Sequence, residues 1–166
     1  MADGGASTFI FLATALLVSG AVSAVLISQY GDITTAMEIE RRGNEADSKT
    51  SFSFAGDLAN VHYDTSASPN EIITLYLQNT GEYILDESTL FIQMNGEVIA
   101  DANVSTTILP GGTDWGTTNL LGVEIAGTWN LADNTDVNFT ILVQSNSVGG
   151  YQGEDVESTV VRLNES

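Results

Sequence analysis

The longest apolar run of the sequence lies near its start. The segment Gly4–Gly31 contains no charged residue and no proline, and Asp3 and Asp32 bracket it. Its central part, Phe9–Ile27, is almost wholly apolar or small. As a helix, this part would span about 28 Å, which is close to the hydrocarbon thickness of a bilayer. The pattern therefore predicts one membrane-compatible helix.

Small residues recur along this run at four-residue spacing, with Ala15, Ser19 and Ser23 in one row and Gly20 and Ala24 in another. Such rows let helices approach one another closely, in lipid or in a dry bundle. Alternatively, they reflect the ordinary composition of membrane helices. The residues expected to contact lipid or neighbouring helices are Phe9, Phe11, Leu12, Ala15, Leu16, Ser19, Gly20, Ser23, Ala24 and Ile27.

The helical pattern continues beyond the apolar run in amphipathic form, because apolar residues such as Ile33 and Met37 keep a helical spacing. We expect this helix to extend to about Arg42 and to stop at Gly43. The polar residues 44–49 are then expected to be a linker.

From Ser51 onward the sequence alternates between apolar and polar residues, as strands do. The alternation is clearest in residues 71–79, where Ile73, Leu75 and Leu77 share one face. Asn95 and Gly96 predict a hairpin. Further strands are expected near residues 51–55, 59–64, 88–94, 97–100, 104–108, 137–145 and 156–163, whereas residues 116–136 form a looser region.

Together these elements predict an α+β protein with two parts. Residues 1–50 form a transmembrane or filament-core helix with its linker, and residues 51–166 form a β domain. Short strands with turns about every 8–12 residues are typical of an antiparallel immunoglobulin-like sandwich. The β domain is long enough to bury its own core.

Acidic residues strongly outnumber basic ones. The chain has 22 Asp and Glu against 4 Lys and Arg, with a net charge of −18. This balance argues against a nucleic-acid partner, whose phosphates need Lys and Arg for neutralisation. Salt at about 1 M reduces the Debye length to about 3 Å and screens the self-repulsion of such a chain. The composition therefore favours a salt-loving organism over an ordinary acidic surface protein.

The sequence carries no recognisable catalytic motif. It has no cysteine and one histidine, His62, so thiol chemistry and multi-histidine metal sites are excluded. Nucleophile-elbow, P-loop and dinucleotide motifs are also missing. We therefore expect a protein without enzymatic activity and without a cofactor. Asp133, Asn134 and Asp136 match only part of a calcium loop, which favours a solvated acidic loop.

Three N-x-S/T sequons, at Asn103, Asn138 and Asn164, are candidate glycosylation sites and are compatible with an exported domain. Two tryptophans, Trp115 and Trp129, are expected to be exposed and are candidates for a ligand pocket. Tryptophans in such positions are more often core residues or loop anchors.

Two segments resemble proteins of the archaellum, the archaeal motility filament. Residues 4–27 are similar to the opening helix of archaellins and their accessory proteins, in which a small residue and a Ser or Thr precede an aromatic–aliphatic run and a small-residue-rich second half. Residues 75–85, LYLQNTGEYIL, resemble the strand–NTG–strand element of archaeal surface immunoglobulin-like domains. Archaellins carry a charged leader ending in Gly, which is missing here. An uncleaved helix as in flagellar proteins G and F is therefore expected, and the G type is favoured.

The resemblance implies a non-catalytic part of the motility machinery. In that family the helix anchors or assembles, and the β domain lies outside the membrane as a static element for the rotor. The implied partners are membrane lipid, an S-layer protein, another archaellum accessory protein and further copies of this chain assembled through the helix. Two alternatives are a pilin-like filament subunit and a membrane-anchored ligand-binding module.

Three basic residues follow the apolar run: Arg41, Arg42 and Lys49. They affect the prediction of the side of the membrane on which the β domain lies. The positive-inside rule alone would place the β domain in the cytoplasm, but long domains are translocated largely regardless of charge. The resemblance and the sequons favour the cell surface. We therefore expect a cell-membrane protein with its β domain outside.

Overall fold

A computed structural model describes residues 3–67 and 69–165, except for the side chains of residues 3 and 4. It confirms the α+β class, with one long helix followed by a β domain. The elements are α1 (Asp3–Lys49), β1 (Phe52–Ala55), β2 (Val61–Asp64), β3 (Glu71–Asn79), β4 (Leu85–Met94), β5 (Glu97–Val98), a 3-10 helix (Asp101–Asn103), β6 (Val104–Leu109), β7 (Leu120–Gly127), β8 (Asp136–Ser145) and β9 (Glu154–Glu165).

The helix α1 is continuous over 47 residues, so the predicted stop at Gly43 and the polar linker after it are wrong. The chain divides into two compact units, Met1–Arg42 and Gly43–Ser166. The last turns of α1 therefore belong to the unit that contains the strands. A glycine inside a helix costs only about 1 kcal/mol relative to alanine. Burial of Ala46, which is 2% exposed, offsets that cost.

The strands pair in the order β5-β4-β8-β9-β2-β3-β7-β6, and β1 pairs with the end of β3 beside β2. Among the described strands, β2 and β9 pair in parallel and the other pairs are antiparallel, so the sheet is mixed. The sequence predicted antiparallel pairing alone. The parallel pair joins Val61 to Leu163, and no local pattern reports a partner so distant in sequence. The immunoglobulin-like sandwich stays a prediction.

The core is built from the alternating positions of the strands. In β3, Ile73, Leu75 and Leu77 are at most 2% exposed, which confirms the predicted buried face. In β8, the buried positions likewise alternate with more exposed ones. The Asn95–Gly96 hairpin is also confirmed, with φ values of 51° and 84° that suit a tight turn between antiparallel strands.

One strand was missed in the region expected to be looser. β7 lies there and pairs with β3 on one side and β6 on the other. Its inward residues Leu121, Val123 and Ile125 are fully buried. The outward residues include Gly122, which pairs with Tyr76 of β3. Glycine and a single glutamate on the outward side weakened the alternation in the sequence.

Candidate functional site

The helix α1 presents an apolar surface that nothing in the described chain covers. Phe9, Phe11 and Ile27 are 71%, 78% and 73% exposed. The predicted contact residues Phe9, Phe11, Leu12, Ala15, Leu16, Ser19, Gly20, Ser23, Ala24 and Ile27 are all exposed. Among the described residues, α1 is the one helix long and apolar enough to cross a membrane.

Exposed hydroxyl groups of α1 bond to the helix's own backbone. Thr14, Thr34 and Thr35 each donate to the carbonyl oxygen four residues earlier, at 2.8 Å for Thr34 and 3.0 Å for Thr35. A polar group in lipid has no water to bond to, so an internal partner removes most of its cost. These hydroxyls are therefore compatible with apolar surroundings.

The small-residue rows of α1 are open in the described chain. No atom outside the local helix backbone lies within 4 Å of the point that a Cβ on Gly20 would occupy. Ala15, Ser19, Ser23 and Ala24 are likewise exposed. Lipid or another helix would find these rows accessible at close range.

Two of the basic residues that follow the apolar run form ion pairs within the protein. Arg42 Nη2 lies 2.7 Å from Glu38 Oε1, and Lys49 Nζ lies 3.1 Å from Glu45 Oε1 and 3.6 Å from Glu82 Oε2. The hydrogen bond to Glu45 is the main reason that the pKa of Lys49 is raised. These cations balance nearby acids at the end of the helix.

The end of α1 is capped by the turn between β3 and β4. The carbonyl oxygen of Lys49 accepts hydrogen bonds from the amides of Glu82 and Tyr83, at 2.8 and 3.2 Å. The carbonyl oxygen of Ser51 accepts two more at 2.9 Å from the NTG turn, residues 79–81. The last carbonyls of a helix lack intrahelical partners. This turn supplies some of those partners.

Asn79 holds the NTG turn in shape from inside the domain, where it is 1% exposed. Its Nδ2 donates to the carbonyl oxygens of Tyr83 and Trp115, at 2.7 and 2.9 Å. Its Oδ1 accepts from the amide of Gly81 at 3.0 Å. The asparagine of the NTG motif thus stabilises the turn and links it to the loop that contains Trp115.

A second turn contacts the same helix end. Gly153 lies so close to the carbonyl oxygen of Ala46 and the hydroxyl of Thr50 that a Cβ would overlap both. Ser145 holds Gly153 through two hydrogen bonds of 2.9 Å, and the Glu154 amide donates to Asp47 Oδ1 at 3.2 Å. We call the contacts of residues 46–51 with residues 79–83 and 152–154 the helix clamp.

A second polar cluster fixes the loop between β7 and β8. The hydroxyl of Tyr63 donates to Glu71 Oε2 at 2.6 Å, and the amides of Trp129 and Asn130 donate to the same oxygen at 2.8 and 3.0 Å. Burial and the hydrogen bond to Glu71 raise the pKa of Tyr63 to about 12. The Tyr63 hydrogen bond, with those two amides, lowers the pKa of Glu71. Sequence reasoning missed this cluster.

The predicted exposure of Trp115 is wrong. Trp115 is 1% exposed and its ring centroid lies 6.3 Å from that of Phe52, so it belongs to the core. Trp129 is half-buried, with its ring over Gly127. The structure therefore does not bring the two tryptophans together as an open ligand pocket.

The candidate cation loop is occupied by protein contacts. Asp136 binds Arg162 through two hydrogen bonds of 2.8 and 3.1 Å, which lower the pKa of Asp136. Asp133 Oδ1 accepts from the amide of Glu165 at 2.9 Å, and Asp133 Oδ2 from Asn134. Within residues 3–67 and 69–165, no group of three or more His, Asp or Glu side chains is arranged to hold a metal ion.

The three sequon asparagines lie apart from one another. Asn103 ends the 3-10 helix that leads into β6, Asn138 lies within β8, and Asn164 lies near the end of β9. Asn103 and Asn138 are exposed, and Asn164 is half-buried.

No protein-family model, curated protein or solved structure matches this chain. The fold and the site define a class only, a β domain that continues from a long, exposed apolar helix.

Proposed function

We propose that this protein is a non-enzymatic, membrane-anchored accessory or stator subunit of the archaellum, with its β domain at the cell surface. The observation that carries the proposal is the exposed apolar helix whose last turns are fixed into the β domain by the helix clamp. The similarity of residues 4–27 and 75–85 to archaellum proteins and archaeal surface domains supports the choice of system.

The helix surface fits an anchor because it is apolar on all sides. A helix that lies on a soluble protein or on a membrane surface has one polar face. Residues 9–27 present exposed apolar side chains such as Phe11, Leu17 and Ile27 instead, at 78%, 73% and 73% exposure. Removing apolar surface from water yields about 25 cal/mol per Å². Insertion into lipid is therefore strongly favoured.

The β domain fits a static surface part. Its strands are paired along most of their length, and the last turns of α1 are held within the same unit by the helix clamp. We propose an S-layer protein or another archaellum accessory protein as its partner outside the membrane. The high acidic charge fits a salt-rich medium, in which like-charged surfaces can approach one another.

One observation favours a pilin-like filament subunit as the second candidate. Exposed apolar side chains continue beyond the segment that a bilayer would cover, at Tyr30, Ile33 and Met37, with exposures of 75%, 52% and 65%. Lipid around residues 9–27 would leave them in water or at the membrane surface. Helices of neighbouring copies would cover them along the whole length.

Gene deletion in the organism that makes this protein tests the main proposal. We expect deletion to abolish swimming while archaellin synthesis continues, and the full-length gene to restore movement. We expect the protein in the membrane fraction after an alkaline wash, and in solution only after detergent. A deletion strain that swims normally would contradict the proposal. Purified protein that forms long filaments without lipid would favour the second candidate.

A further inference from the structure

We propose that Asn103 carries an N-linked glycan and that it is the one of the three sequons that the folded domain presents to a glycosyl transferase. The proposal rests on the cell-surface placement of the β domain given above. The sequons alone are equivalent, since each has the N-x-S/T form. Their structural surroundings separate them.

Asn103 lies where a modifying enzyme can reach it. It ends the 3-10 helix Asp101–Asn103 and enters β6, which stands at one end of the strand order. The carboxamide is exposed, and no hydrogen bond of this side chain occurs within the described chain. Ser105, the hydroxyl residue of the sequon, is also exposed, and its hydroxyl makes one long hydrogen bond of 3.4 Å, to Glu124 Oε2 at the surface. Acceptor amide and hydroxyl are therefore both accessible without unfolding.

Asn138 is held in the interior of the sheet. β8 lies between β4 and β9, and the backbone of Asn138 exchanges hydrogen bonds with the amide and the side chain of Asn95, at 2.8 and 2.9 Å. Its Oδ1 accepts from Ser158, and the sequon hydroxyl of Thr140 is 2.9 Å from the same serine hydroxyl. A transferase would have to separate β8 from its neighbours.

Asn164 is engaged by a loop of the domain. Its Nδ2 donates to Asn60 Oδ1 at 2.6 Å and lies 3.4 Å from the carbonyl oxygen of Ala59. The nitrogen that would accept the sugar is thus already used as a donor. The hydroxyl residue of this sequon, Ser166, lies outside the described residues.

A shallow groove of about 160 Å³ beside Asn103 would receive the first sugar. Its floor includes Ile72, Val104 and Ala126, and Glu124 lies at its side. The apolar floor suits the C–H face of a sugar ring. The carboxylate of Glu124 suits hydroxyl groups as a hydrogen-bond acceptor.

The transfer step balances with a glycosyl phosphate donor. Nδ2 of Asn103 attacks the anomeric carbon, a carbon–nitrogen bond forms, and the bond from that carbon to the phosphate oxygen breaks. The phosphate leaves with its bonding electron pair, and a base of the transferase takes the proton from Nδ2. No oxidant or reductant is needed.

A glycan at this position would also protect the sheet edge. The strand β6, with sequence VSTTIL, contains no charged residue although the chain is strongly acidic. Uncharged edge strands are sites of unwanted strand pairing, and bulky or charged groups prevent it. A glycan on Asn103, directly before the first residue of this strand, would supply such a group.

Cleavage after glutamate separates the three sequons onto three peptides, because Glu97, Glu124, Glu154, Glu157 and Glu165 divide the sequence between them. We would purify the full-length protein from the cells that produce it and analyse these peptides by mass spectrometry. We expect added glycan mass on the peptide of residues 98–124 alone. An unmodified 98–124 peptide, or glycan on the peptides of Asn138 or Asn164, would overturn the proposal.

Matched variants test the acceptor directly. Asn103→Gln and Ser105→Ala should each lose the glycan mass completely, whereas Ser105→Thr and Asn138→Gln should keep it. An unchanged melting temperature for Asn103→Gln after enzymatic deglycosylation of the wild type would show that its fold is intact. Retention of glycan in Asn103→Gln would contradict the assignment.

A separate label distinguishes failure of this site from failure of the placement. The chain contains no cysteine, so Gln78→Cys introduces a single exposed thiol on β3. A membrane-impermeant maleimide should label it in intact cells. Labelling together with an unmodified Asn103 overturns only the glycan, whereas labelling that occurs only after lysis overturns the surface placement and with it the glycan.

Discussion

At the scale of single residues, Glu71 joins more of the β domain than its position at the start of β3 would indicate. One of its oxygens accepts hydrogen bonds from the Tyr63 hydroxyl and from the amides of Trp129 and Asn130. Two of those partners, Trp129 and Asn130, are 58 and 59 residues away in sequence, and carboxylates are common in this chain, so no pattern singles out Glu71. The glutamate could be recognised only after the strands had been placed.

We expect Glu71→Gln to lower the stability at neutral pH by about 1–2 kcal/mol, because a neutral amide is a weaker acceptor for three donors. The pKa of Glu71 is lowered in the folded state, so its stabilisation is full above the ordinary pKa of about 4.3 and is lost as the pH falls through the folded value. Thermal unfolding of wild type and variant between pH 7 and pH 3 measures this. The two curves should converge towards the acid end.

Glu97→Gln is the matched control, since Glu97 is exposed on β5 and makes no ion pair in the described chain. It should leave the melting temperature at neutral pH nearly unchanged. A Glu71→Gln curve that stays parallel to the wild-type curve down to pH 3 would show that the cluster does not favour the ionised carboxylate.

At the scale of elements, the long apolar run without charged residues identified α1, and alternation with a period of 2 identified most strands. It failed where distant contacts decide the structure. The helix end at Lys49 is set by the turns of the helix clamp, and local residues such as Gly43 indicated an earlier end. The strand β7 was missed because Gly122 and Glu124 weaken its alternation, whereas its pairing with β3 and β6 is visible only across the sheet.

We expect Gly153→Ala to destabilise the β domain by about 1–3 kcal/mol, because the new methyl group would overlap the backbone at Ala46 and the hydroxyl of Thr50. Backbone atoms cannot move aside as a flexible side chain can. The melting temperature in detergent should fall by several degrees. Hydrogen exchange should show faster exchange of the amide of Glu154, which the clamp holds.

Gly116→Ala provides the comparison, since no atom lies within 4 Å of its added Cβ and its φ is not in the left-handed region. It should change the stability little. Equal stability of the Gly153 and Gly116 variants would mean that the helix end is not held against this turn.

At the scale of the whole molecule, the main feature is the excess of negative charge. With 22 acidic residues, 4 basic residues and a net charge of −18, most of the acids have no cation with which to pair. The folded state of such a chain must overcome the electrostatic repulsion between its own acidic residues. Neither a partner nor an organism follows from the fold alone, whereas the need for screening follows directly from the composition.

We expect the melting temperature of the full-length protein in uncharged detergent to rise between about 0.1 M and 1 M salt, as the Debye length falls from about 10 Å to 3 Å. Sodium and potassium chloride should act alike if screening is the cause. Sucrose carries no charge. At concentrations in the lower part of this range, it should raise the melting temperature less than salt does. A melting temperature independent of salt would contradict a stability limited by repulsion.

The helix clamp affects how the helix α1 nucleates when it forms. An isolated helix must first order one turn without compensation, with a nucleation constant of about 10⁻³, or about 4 kcal/mol. In this protein the carbonyl oxygen of Lys49, the last residue of α1, is already bound by two amides of the folded β domain. That last turn is a ready nucleus from which each preceding residue adds one hydrogen bond. Helix growth from this turn towards the amino terminus therefore needs propagation and no separate nucleation.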